Sequence, residues 1–312
     1  MGAEIDLLLD RRTLKRRLIF WRAAAVILLL AVVLLAIVSS GLVLRLESHP
    51  HVAVLHVNGI ITDDAARDRA VLRVATTPEA KALIVAVDSP GGSVAGGEAL
   101  HDAIAKVAAN KPVVVVMGPV AASAAYMISV PAGRIFARRA TLTGSIGVLL
   151  QAGEVSGLLK KLGITPETIV SGPLKDQPSL TAPMTEAGRD VMQGIVDNLY
   201  DQFVAMVAAG RHMSIPQVKA LADGRPYTGE QAVKLGLIDA IGGMAEARAW
   251  LASARGVPGS LPAITMPPPG RTWLGSWLGL GGVFGGLVKV FLSQRVNLDG
   301  AWALWQPQEL LR

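Results

Sequence analysis

The chain is predicted to be an α/β protein built on a mainly parallel β-sheet with helices on both faces. Between residues 51 and 245, short β-branched runs, VAVLHV (Val52–Val57), LIVAV (Leu83–Val87) and VVVV (Val113–Val116), alternate with longer alanine-rich stretches of helical character. The runs are continuously apolar instead of alternating, the pattern of strands buried on both sides. The 312 residues are enough for one large domain or two small ones.

Composition excludes several classes of function. There is no cysteine, which removes a disulfide scaffold, a Cys-ligated metal and a thiol nucleophile together. Aromatic residues make up 4% of the chain, too few for stacking platforms along single-stranded nucleic acid. Mean hydropathy is +0.45, higher than a purely soluble chain needs, so part of the sequence belongs to a membrane. The formal net charge of +6 is local: residues 1–22 hold six basic residues against Glu4, Asp6 and Asp10, which is half of it. No basic stripe marks the rest, and nucleic acid is not an expected partner.

Read in order, residues 1–22 form a basic cytoplasmic arm. Residues 23–44, AAAVILLLAVVLLAIVSSGLVL, are uncharged throughout and as a helix would reach roughly 33 Å, enough to cross a bilayer. This apolar stretch exceeds the 7–15 residues typical of a cleaved secretory signal, so an uncleaved signal anchor is expected. Six basic residues precede it and Arg45 alone follows at once. The bias places the N-terminus in the cytoplasm and residues 45–255, the main domain, outside an inner or plasma membrane, on the periplasmic side in a bacterium.

Within that domain a long helix after Met184 is expected to face the core through Met192, Ile195, Leu199, Phe203 and Met206, spaced by three or four. Another helix opens at Thr228 with Gln231 three residues on, a capping-box pattern, and stops near Gly236. Residues 256–270 contain VPGSLPAITMPPPG, which reads as a proline-rich linker unable to hold a helix or central strand. Residues 271–312 are a Gly/Trp-rich tail, expected to lie on the membrane or against another subunit.

Two small-residue motifs follow predicted strands. DSPGGSV (Asp88–Val94) ends LIVAV in a sharp turn whose glycines leave backbone N–H groups open to an anion or oxyanion, or simply turn the chain. MGPVAASAAYMIS (Met117–Ser129) follows VVVV and puts Ser123 among alanines at a helix start, as a nucleophile or as an N-cap. The histidines, His49, His51, His56, His101 and His212, neither sit in a turn built to present one nor have metal-ligand spacing. A neutral lysine can also serve as base. Of ten lysines, nine read as cytoplasmic, exposed on helices, in strand-entry loops or in the tail. Lys175, in TIVSGPLKDQPSL, is left as base candidate, with a loop lysine paired to Asp176 as the plainer reading.

Taken in order, LIVAVDSPGGSV, MGPVAASAAYMIS, TGSIGV (Thr143–Val148), SGPLKD and DGRPYTGEQAVKLGLID (Asp223–Asp239) resemble the signal peptide peptidase A family. These are membrane-anchored serine peptidases of the Clp protease/crotonase fold, with repeated β-β-α units. The resemblance runs from His51 to Gly243 and implies one catalytic unit, the short form of the family. It implies Ser123 as nucleophile, Lys175 as general base and Ser145 as a partner that orients the lysine. Backbone N–H groups of Gly91 or Gly92, with that of Ala124, would form the oxyanion hole. No cofactor or metal is implied. The expected partners are hydrophobic peptides at the membrane, such as signal-peptide remnants, together with membrane lipid and further copies of the chain. The copies would form a ring whose subunits share the serine and the lysine of each site.

The sequence departs from the family where Ala124, Ala125, Tyr126 and Met127 follow the serine in place of two glycines and two tyrosines. Alanine keeps the N–H an oxyanion needs. Asp88 stands where asparagine is also frequent, and SGPLKD is the least family-like motif. Alternatives are a related Ser-Lys peptidase acting on membrane-organising, stomatin-like proteins, a crotonase-type acyl-CoA enzyme, and a non-catalytic membrane scaffold.

Overall fold

The computed structural model describes residues 21, 22, 24–32, 49–266 and 302–304. Residues 21, 22 and 24–32 are helical. Among the described residues no helix is long and apolar enough to cross a membrane, and most of the run predicted to span 23–44 lies outside them. So do the cytoplasmic arm up to residue 20 and nearly all of the tail.

From His51 onward the described strands are β1 (His51–Asn58), β2 (Ala80–Ser89), β3 (Gly91–Ser93), β4 (Val113–Ala122), β5 (Arg134–Ala137), β6 (Leu142–Gly144), β7 (Pro226–Thr228), β8 (Ala240–Ile241), β9 (Ala263–Thr265) and β10 (Trp302–Leu304). The helices among them are α1 (Ala65–Thr76), α2 (Val94–Ala108), α3 (Ala124–Met127), α4 (Ser156–Lys161), α5 (Glu186–Arg211), α6 (Ile215–Leu221), α7 (Gly229–Lys234) and α8 (Met244–Arg255). Eight strands form one sheet in the order β7-β6-β4-β2-β1-β9, with β5 and β8 branching from β4. All its pairings are parallel except β6 with β7. The α/β architecture expected from the three β-branched runs is therefore present, and those runs are its centre.

Both faces of the sheet are covered, which explains why the strands read as continuous apolar runs. Side chains alternate along a strand. Leu55, Leu83, Val85 and Val115 pack on one face with Val71 of α1, Ile104 of α2 and Phe203 of α5. Val54, Ile84 and Val114 pack on the other with Ala247 and Leu251 of α8.

Two expectations change. The stripe on α5 is core only toward its C-terminal end: Phe203, Val204 and Val207 are buried, whereas Ile195 is exposed. The segment that precedes α5, a lobe of roughly residues 150–185, also exposes Leu158, Leu162, Ile169 and Leu180. The proline-rich stretch is not merely a linker. Ala263–Thr265 adds strand β9 in parallel to β1, where Val52 N–H donates to the Pro262 carbonyl at 2.9 Å and Met266 N–H to the Val54 carbonyl at 2.8 Å. Prolines flank these three residues, and an edge strand tolerates them because only one side needs donors. The Thr228–Gln231 capping box is present as expected, with both reciprocal bonds formed.

Candidate active site

The site is assembled where β2 and β4 end side by side. At the end of β2, Gly91 adopts φ 114°, a conformation that suits glycine. Its N–H donates to Ser89 Oγ at 3.1 Å, so this donor is already engaged. Ile61 holds the next residues through two bonds: its N–H donates to the Gly91 carbonyl and its own carbonyl accepts from Ser93 N–H, both at 2.9 Å. A methyl group on Gly92 would run into the Ile61 backbone, so this close approach requires glycine. Backbone groups alternate in direction along an extended chain, which turns the Gly92 N–H away from Ile61. Of the two glycines, Gly92 is the one with a donor to offer. Ser93 Oγ then accepts from Gly96 N–H at 3.2 Å and caps α2.

At the end of β4, Ser123 has φ 57° and ψ −121°. A non-glycine residue held there costs on the order of 1–3 kcal/mol, and such strain concentrates at sites where a side chain must be presented in one direction. Strand-to-helix turns that expose a nucleophilic serine are of this kind. The N-cap alternative fails, because the Ser123 side chain makes no capping bond. Its N–H donates to the Gly144 carbonyl at 2.8 Å. Ala124, the first residue of α3, lies beyond the reach of intrahelical bonding for its N–H. Strand β3 packs against α3, which brings the Gly92 turn beside the Ser123 turn. Ser123 is only 1% exposed.

Ser145 follows β6 with φ 48°. Its N–H donates to the Arg225 carbonyl and its Oγ to the Gly224 carbonyl, each at 3.0 Å. Lys175 lies in an exposed turn, where its N–H donates to the Gly172 carbonyl at 3.1 Å. Within one chain its amine bonds neither Ser123 nor Ser145, and it makes no ion pair with Asp176. The structure thus brings together Ser123, Ala124, Gly92 and the Ser145 turn, and leaves Lys175 on the lobe.

The support beneath the site includes contacts that sequence reasoning did not assign. Tyr126 is fully buried and donates to the Leu237 carbonyl at 2.7 Å, and burial pushes its phenol well above the usual tyrosine range. Asp239 accepts from Arg211 at 2.8 and 3.2 Å and from Ile135 N–H at 2.7 Å, tying α5 to the sheet. Ser89 was legible as a hydroxyl two residues before a turn glycine. Ile61 gave no signal, since its role is played by its backbone.

The model of Peptidase family S49 matches residues 105–258. A protein of Synechocystis sp. that bears the name of a protease is 37% identical over 209 residues, 66% of this chain and 75% of that protein. An Enterococcus faecium protein that bears the name signal peptide peptidase SppA is 37% identical over 62% of this chain and 61% of its own length. A solved structure of a membrane-bound stomatin-specific protease shares 16% identity, covers 71% of this chain and 99% of that one, and has a TM-score of 0.47. With a family model lying across the Ser123 and Ser145 turns and a relative aligned over three quarters of its length, the chain belongs to peptidase family S49, the serine peptidases that hydrolyse peptide bonds.

Proposed function

We propose that the chain is a membrane-anchored endopeptidase in which Ser123 is the nucleophile and Lys175 of a neighbouring copy is the general base. The observation that carries the serine assignment is its forced backbone geometry beside two N–H groups suited to an oxyanion, those of Gly92 and Ala124. The observation that favours sharing between copies is that Lys175 is exposed and makes no hydrogen bond to Ser123 within one chain, on a lobe rich in exposed apolar side chains. Large apolar exposure of this kind marks a surface that another protein covers.

In this reading the neutral Lys175 amine takes the Ser123 proton while Oγ attacks the scissile carbonyl. The Gly92 and Ala124 N–H groups stabilise the oxyanion. The C–N bond breaks as the ammonium returns its proton to the leaving amine. Water then attacks the ester with Lys175 again as base, the acid product leaves, and Ser123 regains its proton. Ser145 helps to orient the amine. The substrates are hydrophobic peptides at the membrane, such as signal-peptide remnants, which the uncharged run at 23–44 supports by anchoring the domain there, N-terminus in the cytoplasm.

Mixing Ser123→Ala chains with Lys175→Ala chains tests the shared site. Activity absent from each alone is expected to return on co-assembly. A co-assembled mixture that stays inactive places both residues in one chain, and activity retained by either pure variant removes the dyad altogether.

A further inference from the structure

The two halves of the site are joined by a side chain to which the reaction above gives no part. Strands β2 and β4 run in parallel register as far as Val87↔Met117 and meet again at Ser89↔Ala121. Asp88 alone therefore stands opposite Gly118, Pro119 and Val120, which form a bulge in β4 shortly before Ser123. Bulges bend a strand and re-aim the side chains beyond them. Here β4 changes neighbours across the bulge: Val114–Val116 pair with β5, and Val120–Ala122 pair with β6. The backbone of Asp88 is tied to the end of β1, its carbonyl accepting from Gly59 N–H at 3.0 Å. Its side chain crosses to the bulge, where Oδ1 accepts from Val120 N–H at 3.3 Å. Gly118 makes room for this crossing, since a Cβ there would lie 3.2 Å from the Asp88 Cβ. Thr141 holds the bulge a second time, its Oγ1 donating to the Gly118 carbonyl at 2.7 Å.

We propose that Asp88 is a positioning residue, a strap that sets the spacing between the oxyanion turn on β2 and the nucleophile on β4. The inference rests on the assignment of Ser123 and Gly92 made above. One strand end carries Gly92 shortly after Asp88, and the other carries Ser123 shortly after Val120. A bulge interrupts the ladder that would otherwise fix the path of β4, and the bond from Val120 to Asp88 restrains it there. The carboxylate thus acts through the backbone. What the position requires is an acceptor oxygen at this reach, because the Val120 N–H is neutral and Asp88 is exposed. Among the described residues Asp88 forms no ion pair, so its charge has no partner to hold. A reacting group misplaced by about 1 Å can cost about a hundredfold in rate, so a small swing of the bulge is enough to be felt at Ser123.

The test compares three substitutions in the full chain. Asp88→Asn keeps an acceptor oxygen at the same reach and drops the charge. Asp88→Glu keeps the charge and moves the oxygen by one methylene, for which the cleft of about 280 Å³ that Asp88 lines leaves room. Asp88→Ala removes both. With an apolar reporter peptide, kcat is expected to stay within about twofold for Asp88→Asn and to fall about tenfold for Asp88→Glu and Asp88→Ala. KM should stay within about twofold throughout. The rate at which a fluorophosphonate labels Ser123 should follow kcat, in chains shown to be folded by far-UV circular dichroism. A loss in Asp88→Asn as large as that in Asp88→Glu, or larger, would overturn the proposal. So would kcat and labelling unchanged in Asp88→Glu. The Asn and Glu variants decide the matter by themselves if Asp88→Ala does not fold. Turnover by the original chain without labelling at Ser123 would instead defeat the serine assignment, and the strap with it.

Discussion

The backbone N–H of Ser123 donates to the carbonyl of Gly144 at 2.8 Å, so the turn that carries the serine is fixed by the end of β6. Gly144 has φ 72°, and a Cβ there would come within 2.7 Å of the Tyr227 ring. The ring of β7 thus sets the position of β6, and β6 sets that of the serine. The distant motif DGRPYTG reaches the Ser123 turn through this chain of contacts.

Gly144→Ala is expected to destabilise the protein by about 1–3 kcal/mol, from strain at positive φ and displacement of Tyr227. Thermal unfolding checks this. The same variant should label more slowly with a fluorophosphonate, because the Ser123 turn loses its fixed support.

Gly92→Ala should be more damaging to turnover than to folding. Alanine keeps the N–H, but the methyl group forces the segment away from Ile61 and carries that donor out of place, and an oxyanion donor put out of reach costs about 10²–10³ in kcat. Steady-state kinetics with an apolar peptide, set beside far-UV circular dichroism, separates the two effects.

Ser145→Ala removes the bond from Oγ to the Gly224 carbonyl. A cost of about 1 kcal/mol in stability is expected. If Ser145 also orients the lysine in the assembled enzyme, kcat should fall at least tenfold while KM stays near its original value. A stability loss without a change in kcat would restrict the residue to holding the Gly224 turn.

Tyr126→Phe leaves the buried Leu237 carbonyl without its donor and should cost about 1–2 kcal/mol near neutral pH. Burial raises the phenol pKa in the folded state above its unfolded value. Stability from this group is complete below about pH 10 and is lost as pH rises further, because the unfolded chain releases the proton first. The limiting slope is about 1.4 kcal/mol per pH unit for one group. Tyr200 and Tyr227 are also shifted upward, chiefly by burial. Denaturant titrations between pH 9 and 11 should therefore show a shallower decline for Tyr126→Phe than for the original chain.

Much of this architecture can be read along the chain, for identifiable reasons. VAVLHV, LIVAV and VVVV declare themselves because burial on both faces leaves no polar position to interrupt them. Residues alone left Ser123 open between nucleophile and cap; the structure gives it a φ of 57° and no capping bond, which removes the cap reading. The choice between Gly91 and Gly92 needed Ser89 and Ile61, one local and one brought from a different loop. The stripe on α5 misled because helical spacing records which residues share a face, and says nothing of how far along the helix the sheet extends. β9 was hidden by prolines that flank it without interrupting it.

The exposed apolar side chains of the lobe around Lys175 have a consequence for control. On the shared-site proposal, a subunit that carries its serine but must borrow its lysine is inert when dilute. Newly made copies would then spare their surroundings until enough of them gather in one patch of membrane, and local abundance would itself serve as the trigger. The specific activity of the purified enzyme should rise with its own concentration and level off once assembly is complete.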